Sequence, residues 1–173
     1  MRYLTSGYGW SLLLSFTLMF AVMLQASVTA YETVSPAEAQ QTLQKIEEER
    51  ATATAASIFM NNLIASSTLF IPIIGVFPFL FVIYNTGWII GSMSLAYGIY
   101  PFTVVSNLFV VNFTEILAYS ILMAENVYMS FLTLTRSGAT ERLPNSIKSI
   151  LLYFILLFMA SLLEINMIQG AVG

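Results

Sequence analysis

Apolar residues run along this chain in long unbroken stretches, without the polar face of a soluble amphipathic helix. The stretches cover about residues 9–30, 55–71, 79–99, 102–135 and 146–169. They are apolar on all sides, and about 20 such residues suffice to cross a bilayer. Backbone polar groups cannot stay unpaired in hydrocarbon, so crossings are helices or a closed barrel. A barrel would alternate over strands of about 10 residues, and these runs do not. The pattern therefore predicts one all-α membrane domain, a polytopic transmembrane helical bundle of about five spans.

The interruptions are equally informative. Residues 31–54 are the one long polar stretch. Within it, Ser35-Pro36-Ala37-Glu38 combines an N-cap serine, a proline at the first helical position and a glutamate two positions later. That start predicts a polar interfacial helix over 35–50, with Leu43 and Ile46 on a shared face. Residues 55–71 are short and polar in their first half, and Pro72, Gly75 and Pro78 then predict a tight bend. Tyr100-Pro101 ends the third span, because a residue before proline avoids the helical region. The fourth segment would be about 50 Å long as one helix, well beyond a hydrocarbon core of about 30 Å. It is expected to tilt, or to break near Asn107–Asn112.

Composition sharpens this picture. Hydrophobic residues make up 58% of the chain and charged residues 9%, against about 25% charged in a soluble domain. Apart from Arg2, the charges fall mainly in two clusters, Glu32 to Arg50 and Arg136 to Lys148. With the N-terminus cytoplasmic, Arg2, Arg136, Arg142 and Lys148 lie inside and Lys45 and Arg50 outside, which obeys the positive-inside rule in a cell membrane. Five spans then put the C-terminus outside. Arg2, the apolar run and Val28-Thr29-Ala30 resemble a secretory signal. The run exceeds a signal core of about 7–15 residues, so it is expected to stay as a span.

Chemistry is scarce. The chain has no Cys, His or Asp, which excludes thiol chemistry, histidine dyads and thiolate or imidazole metal sites. No cofactor, metal site or catalytic residue is expected, and a net charge of -3 does not suit nucleic acid. Two sets of residues remain as candidates. Gly87, Gly91, Ser94 and Gly98 share one narrow helical face, a packing seam for another helix within the chain or in a partner. Asn112, Glu115, Tyr119 and Asn126 lie within about 60° of one another on an ideal helix. Glu115 sits deep in an apolar zone, and the single Lys or Arg within a predicted span, Lys148, lies at the very start of the last one, so Glu115 should face protein or water. Asn61, Asn62 and Asn85 could join it at one midplane pocket, or each could make an interhelical hydrogen bond. Glu125 lies off this stripe and is expected near the interface, within reach of headgroups.

Ile58-Phe59-Met60-Asn61-Asn62, the Pro/Gly bend, Tyr84-Asn85-Thr86-Gly87 with Gly91, and Asn112-Phe113-Thr114-Glu115 together resemble the stage II sporulation protein M family of integral membrane proteins. The likeness covers about residues 55–135. It implies a multi-span fold, and for the family's namesake a scaffold that recruits wall hydrolases. The family usually carries a His-Gly pair before the glutamate, where this chain has Asn112-Phe113. A role that needs an imidazole therefore has no counterpart here. The expected function is a non-catalytic membrane scaffold or accessory subunit whose partners are the lipid bilayer and other membrane subunits. The alternative is a permease or channel component with a polar path around Glu115.

Overall fold

Seven α-helices and one 3-10 turn form residues 7–170, the part described by a computed structural model. They are α1 (Gly7–Thr33), α2 (Pro36–Ala51), α3 (Ala55–Ser66) with a 3-10 turn over Ser67–Phe70, α4 (Val76–Tyr97), α5 (Pro101–Val111), α6 (Phe113–Leu134) and α7 (Ala139–Gly170). Four of them, α1, α4, α6 and α7, are long and apolar enough to cross a membrane. Arg2, used above to orient the chain, lies outside the described residues.

Helices α1 and α4 run parallel in intimate contact, because small residues face each other. Gly87 lies against Met23 and Ala26, and Gly91 against Ser27 and Ala30. A methyl group built on Gly91 would stand 2.1 Å from the Ser27 carbonyl oxygen, so only glycine lets the backbones approach this far. The Ser27 hydroxyl crosses the seam to the Gly87 carbonyl at 2.8 Å.

Parallel neighbours need a connection that returns the whole way, and α2 and α3 share that task. The capping box at Ser35 forms as its sequence predicts, with Ser35 and Glu38 each bonding the other's backbone N–H. Ala39 is then buried on the side of α2 that packs on α4. Thr54 and Ser57 make a second reciprocal cap at the start of α3. That helix lies antiparallel to α7, with Phe59 against Phe158 and Ser66 bonded to Tyr153.

The expected span over 55–71 is thereby corrected. Its α-helix stops at Ser66, where the Ser66 and Ser67 hydroxyls bond the carbonyls of Asn62 and Ile64. Twelve residues make about 18 Å of helix, too short for a complete crossing. The bend that follows is tight. A methyl group on Gly75 would fall 1.9 Å from the Thr68 carbonyl oxygen. Ile73 has φ 75°, and the N–H of Ile74 bonds the Pro72 carbonyl, a γ-turn that strains a β-branched residue.

The long fourth segment does break, at Asn112. Asn112 leaves the helical region with ψ 26°, yet its N–H bonds Leu108 and its carbonyl accepts from Ile116. The result is a kink with its hydrogen bonds kept, not a loop. Helix α5 then seats Phe109 edge-on against Phe16 and Phe20 of α1, while α6 packs between α1 and α7. The last helix begins at Ala139, seven residues before its expected start at 146. Most of the polar stretch 136–145 is therefore helical. Its 32 residues make about 48 Å of helix. Met19, Phe79, Leu122, Met123, Tyr153 and Leu157 fill the centre of the bundle.

Candidate functional site

Helix α6 carries Glu115, Tyr119, Ser120, Glu125 and Asn126, and its two ends treat their polar groups differently. Near its start, Glu115 is partly buried, with Tyr119 one turn on along the same helix. Val111, Asn112 and Thr114 on one side and Ala160, Leu163 and Met167 on the other enclose a cavity of about 10 Å³ against it, close to the least that holds one water. Glu164 of α7 is near enough to act on Glu115 electrostatically, and Arg50 of α2 acts in turn on Glu164. Among the described residues, no group of three or more acidic, histidine or cysteine side chains could ligate a metal.

The other end of α6 holds a feature that the sequence reading missed. Glu125 is 3% exposed and Arg142 is 8% exposed, and they form a bidentate ion pair. Arg142 Nη2 stands 2.7 Å from Glu125 Oε2, and Nε stands 3.1 Å from Oε1. Ser146 donates a further hydrogen bond of 2.5 Å to Oε1. The guanidinium also lies 4.6 Å from the ring centre of Tyr8 and 5.1 Å from that of Tyr128. Helices α1, α6 and α7 are thus joined at one cation. Glu125 does not reach towards headgroups as expected. The early start of α7 brings Arg142 down beside it, and a paired charge is far cheaper to bury than a free one. The available signal was the spacing of Arg142 and Ser146, one helical turn apart, just ahead of the last apolar run.

The remaining candidates separate. Gly87, Gly91 and Ser94 are buried, the two glycines directly against α1. Gly98 does not join them. It ends α4 in the left-handed conformation, φ 66°, with nothing within 4 Å of where a methyl would sit. The partner face on α1, Ala26-Ser27 and Ala30, was legible as small residues four apart. Asn126 is buried and donates to the carbonyls of Leu69 and Ile71, so it clamps the bend before α4. Asn112 is the kink residue. Asn62 is half-buried, while Asn61 and Asn85 are exposed on the outer surface. Of the two alternatives for these residues, a single polar pocket is not assembled, and among the described residues Asn61 and Asn85 make no interhelical side-chain hydrogen bond either. Asn85 turns outward because the small face of α4 is taken by α1, and Asn61 lies on the exposed side of α3.

No family model, curated protein or solved structure matches the chain. What its own coordinates define is an all-α protein with four helices long and apolar enough to cross a membrane.

Proposed function

We propose that the chain is a multi-pass integral membrane protein acting as a non-catalytic scaffold or accessory subunit. The observation that carries this reading is the outward placement of Asn61 and Asn85. Both lie on apolar helices, both are exposed, and neither side chain makes a hydrogen bond among the described residues. Lipid tails offer a carboxamide nothing, and an unpaired amide in hydrocarbon costs several kcal/mol, in the range of about 2–7. A protein partner supplies what lipid cannot. The charge clusters suit an orientation with the N-terminus cytoplasmic. Tyr8 at the start of α1 touches Arg142 near the start of α7, so Arg136, Arg142 and Lys148 gather at the end where the chain enters. The likeness to the stage II sporulation protein M family points to the same kind of role.

Purification from native membranes in mild detergent tests the proposal. A stoichiometric companion is the expected outcome, and a lone monomer from all mild detergents would refute it. The alternative, a permease with a polar path, draws on Glu115, Tyr119, Glu164 and the small cavity between α6 and α7. It requires Glu115→Gln to abolish flux in vesicles at unchanged protein yield. Asn61 and Asn85 lend it no support from their outward positions.

A further inference from the structure

Helix α4 packs on α1 through one face and meets α2 as well, and Ser92, towards its end, is buried too. The face towards α1 carries Gly87 and Gly91, with Phe79, Ile83 and Ile90 buried beside them. On another side, Phe77, Phe81, Asn85 and Ile89 stand four residues apart in one line, and all are exposed. Asn85 is the tenth of the 22 residues of α4, about 13 Å from one end and 18 Å from the other at the helical rise. It therefore sits close to mid-depth if α4 crosses a bilayer.

We infer that this line is a homodimer seam, in which Asn85 of one chain pairs with Asn85 of a second copy. The inference rests on the membrane placement in the accessory-subunit reading and adds self-association to it, separate from any companion protein. Three observations favour a second copy over another protein. A carboxamide is its own complement, since each copy offers an N–H donor and a carbonyl acceptor and both are satisfied in a symmetric pair. A two-fold axis along the membrane normal puts the two amides at equal depth automatically, whereas an unrelated protein needs its own polar group at that level. The line holds no charged residue, so nothing on it repels an identical surface. Phe77 and Phe81 below and Ile89 above would then flank the pair and exclude lipid from it, and interhelical amide bonds of this kind drive association of apolar helices.

The absence of cysteine from the chain makes the test clean. Single cysteines are placed at Phe81 and, as a control, at Ile155, which is exposed on α7. In vesicles at low protein density, Phe81→Cys should give disulfide dimers on mild oxidation and Ile155→Cys should not. Energy transfer between labelled copies, diluted in lipid, should show Asn85→Leu dissociating at roughly three- to thirtyfold higher density, and Asn85→Gln close to the parent. Since Asn85 is exposed and its side chain makes no hydrogen bond among the described residues, the leucine variant should keep the parent's thermal unfolding. Equal cross-linking at Phe81 and Ile155, or no change with leucine, overturns the dimer. Failure here is distinct from failure of the accessory reading. A chain that is monomeric alone but co-purifies with another protein rejects only the dimer, and a dimer that never has a companion rejects only the wider role.

Discussion

Truncating Arg142 to alanine strikes the one place where three helices converge on a single charge. The variant removes both hydrogen bonds to Glu125, at 2.7 and 3.1 Å, and leaves that carboxylate with Ser146 alone. Breaking a buried pair from one side costs about 3–5 kcal/mol, because the surviving charge stays buried. Loss of the Tyr8 and Tyr128 rings as cation neighbours adds to this, each worth about 0.5–2 kcal/mol. About 4–9 kcal/mol in all is a large part of the stability of an ordinary domain, about 5–15 kcal/mol. Glu125→Gln should cost less, about 1–3 kcal/mol, since an amide oxygen still accepts from the guanidinium. The double variant Glu125→Leu with Arg142→Met leaves no orphan charge and should lie within about 1–2 kcal/mol of the parent. Reversible unfolding in mixed micelles, followed by the fluorescence of Trp10 and Trp88, measures all four proteins. A loss under about 1 kcal/mol for Arg142→Ala, or a double variant as weak as that single one, refutes the argument.

Four further outcomes follow from the geometry. Gly91→Ala pushes a methyl towards the Ser27 carbonyl and should cost about 1–3 kcal/mol in the same unfolding assay; Gly98→Ala has free space and should cost only the left-handed backbone, about 1–2 kcal/mol. Ile73→Gly relieves a β-branched residue held at φ 75° on the surface, and should raise stability by about 1 kcal/mol. Tyr153→Phe deletes the bond to Ser66 and should speed amide exchange in α3 by about tenfold, leaving α6 unchanged. In α2, the Ser35 backbone N–H, and then its hydroxyl, holds Glu38 below the usual glutamate pKa. The contribution to the helix is whole above that usual value, about 4.3, and is lost as pH falls through the lowered one. Amide exchange over residues 37–39 should therefore quicken, beyond the intrinsic pH trend, only on acidification below the usual glutamate range, and Ser35→Ala should remove that step.

The elements whose cause is local could be read from the chain directly. Ser35 to Glu38 holds both halves of a capping box, so α2 starts where those four residues say. Tyr100-Pro101 ends one helix and opens the next for an equally local reason. The excess length of the fourth segment required a tilt or a break, and Asn112 supplied the break. What escaped depended on partners far along the chain. Glu125 looked like a lone acid because its cation belongs to a helix whose first turns are polar. Gly98 shares the periodicity of Gly87 and Gly91, but its role is set by where α4 ends. Asn61 and Asn85 were grouped with Glu115 because depth is legible from position in a span, whereas azimuth depends on which neighbour claims the small face.

The parallel seam between α1 and α4 also dictates a schedule. Ser27 and Gly87 are 60 residues apart, which a ribosome adding roughly 5–20 residues per second needs about 3–12 s to cover. Through that interval α1 presents Ala26, Ser27 and Ala30 with no second backbone to close on, and the Ser27 hydroxyl can bond only its own helix, at Met23. The half-length α3 cannot substitute, because it packs on α7, which has not yet been made. The seam therefore closes only once α4 is made, and α3 finds its place later still, leaving a window in which an insertase or chaperone that shields small-residue surfaces has something to hold.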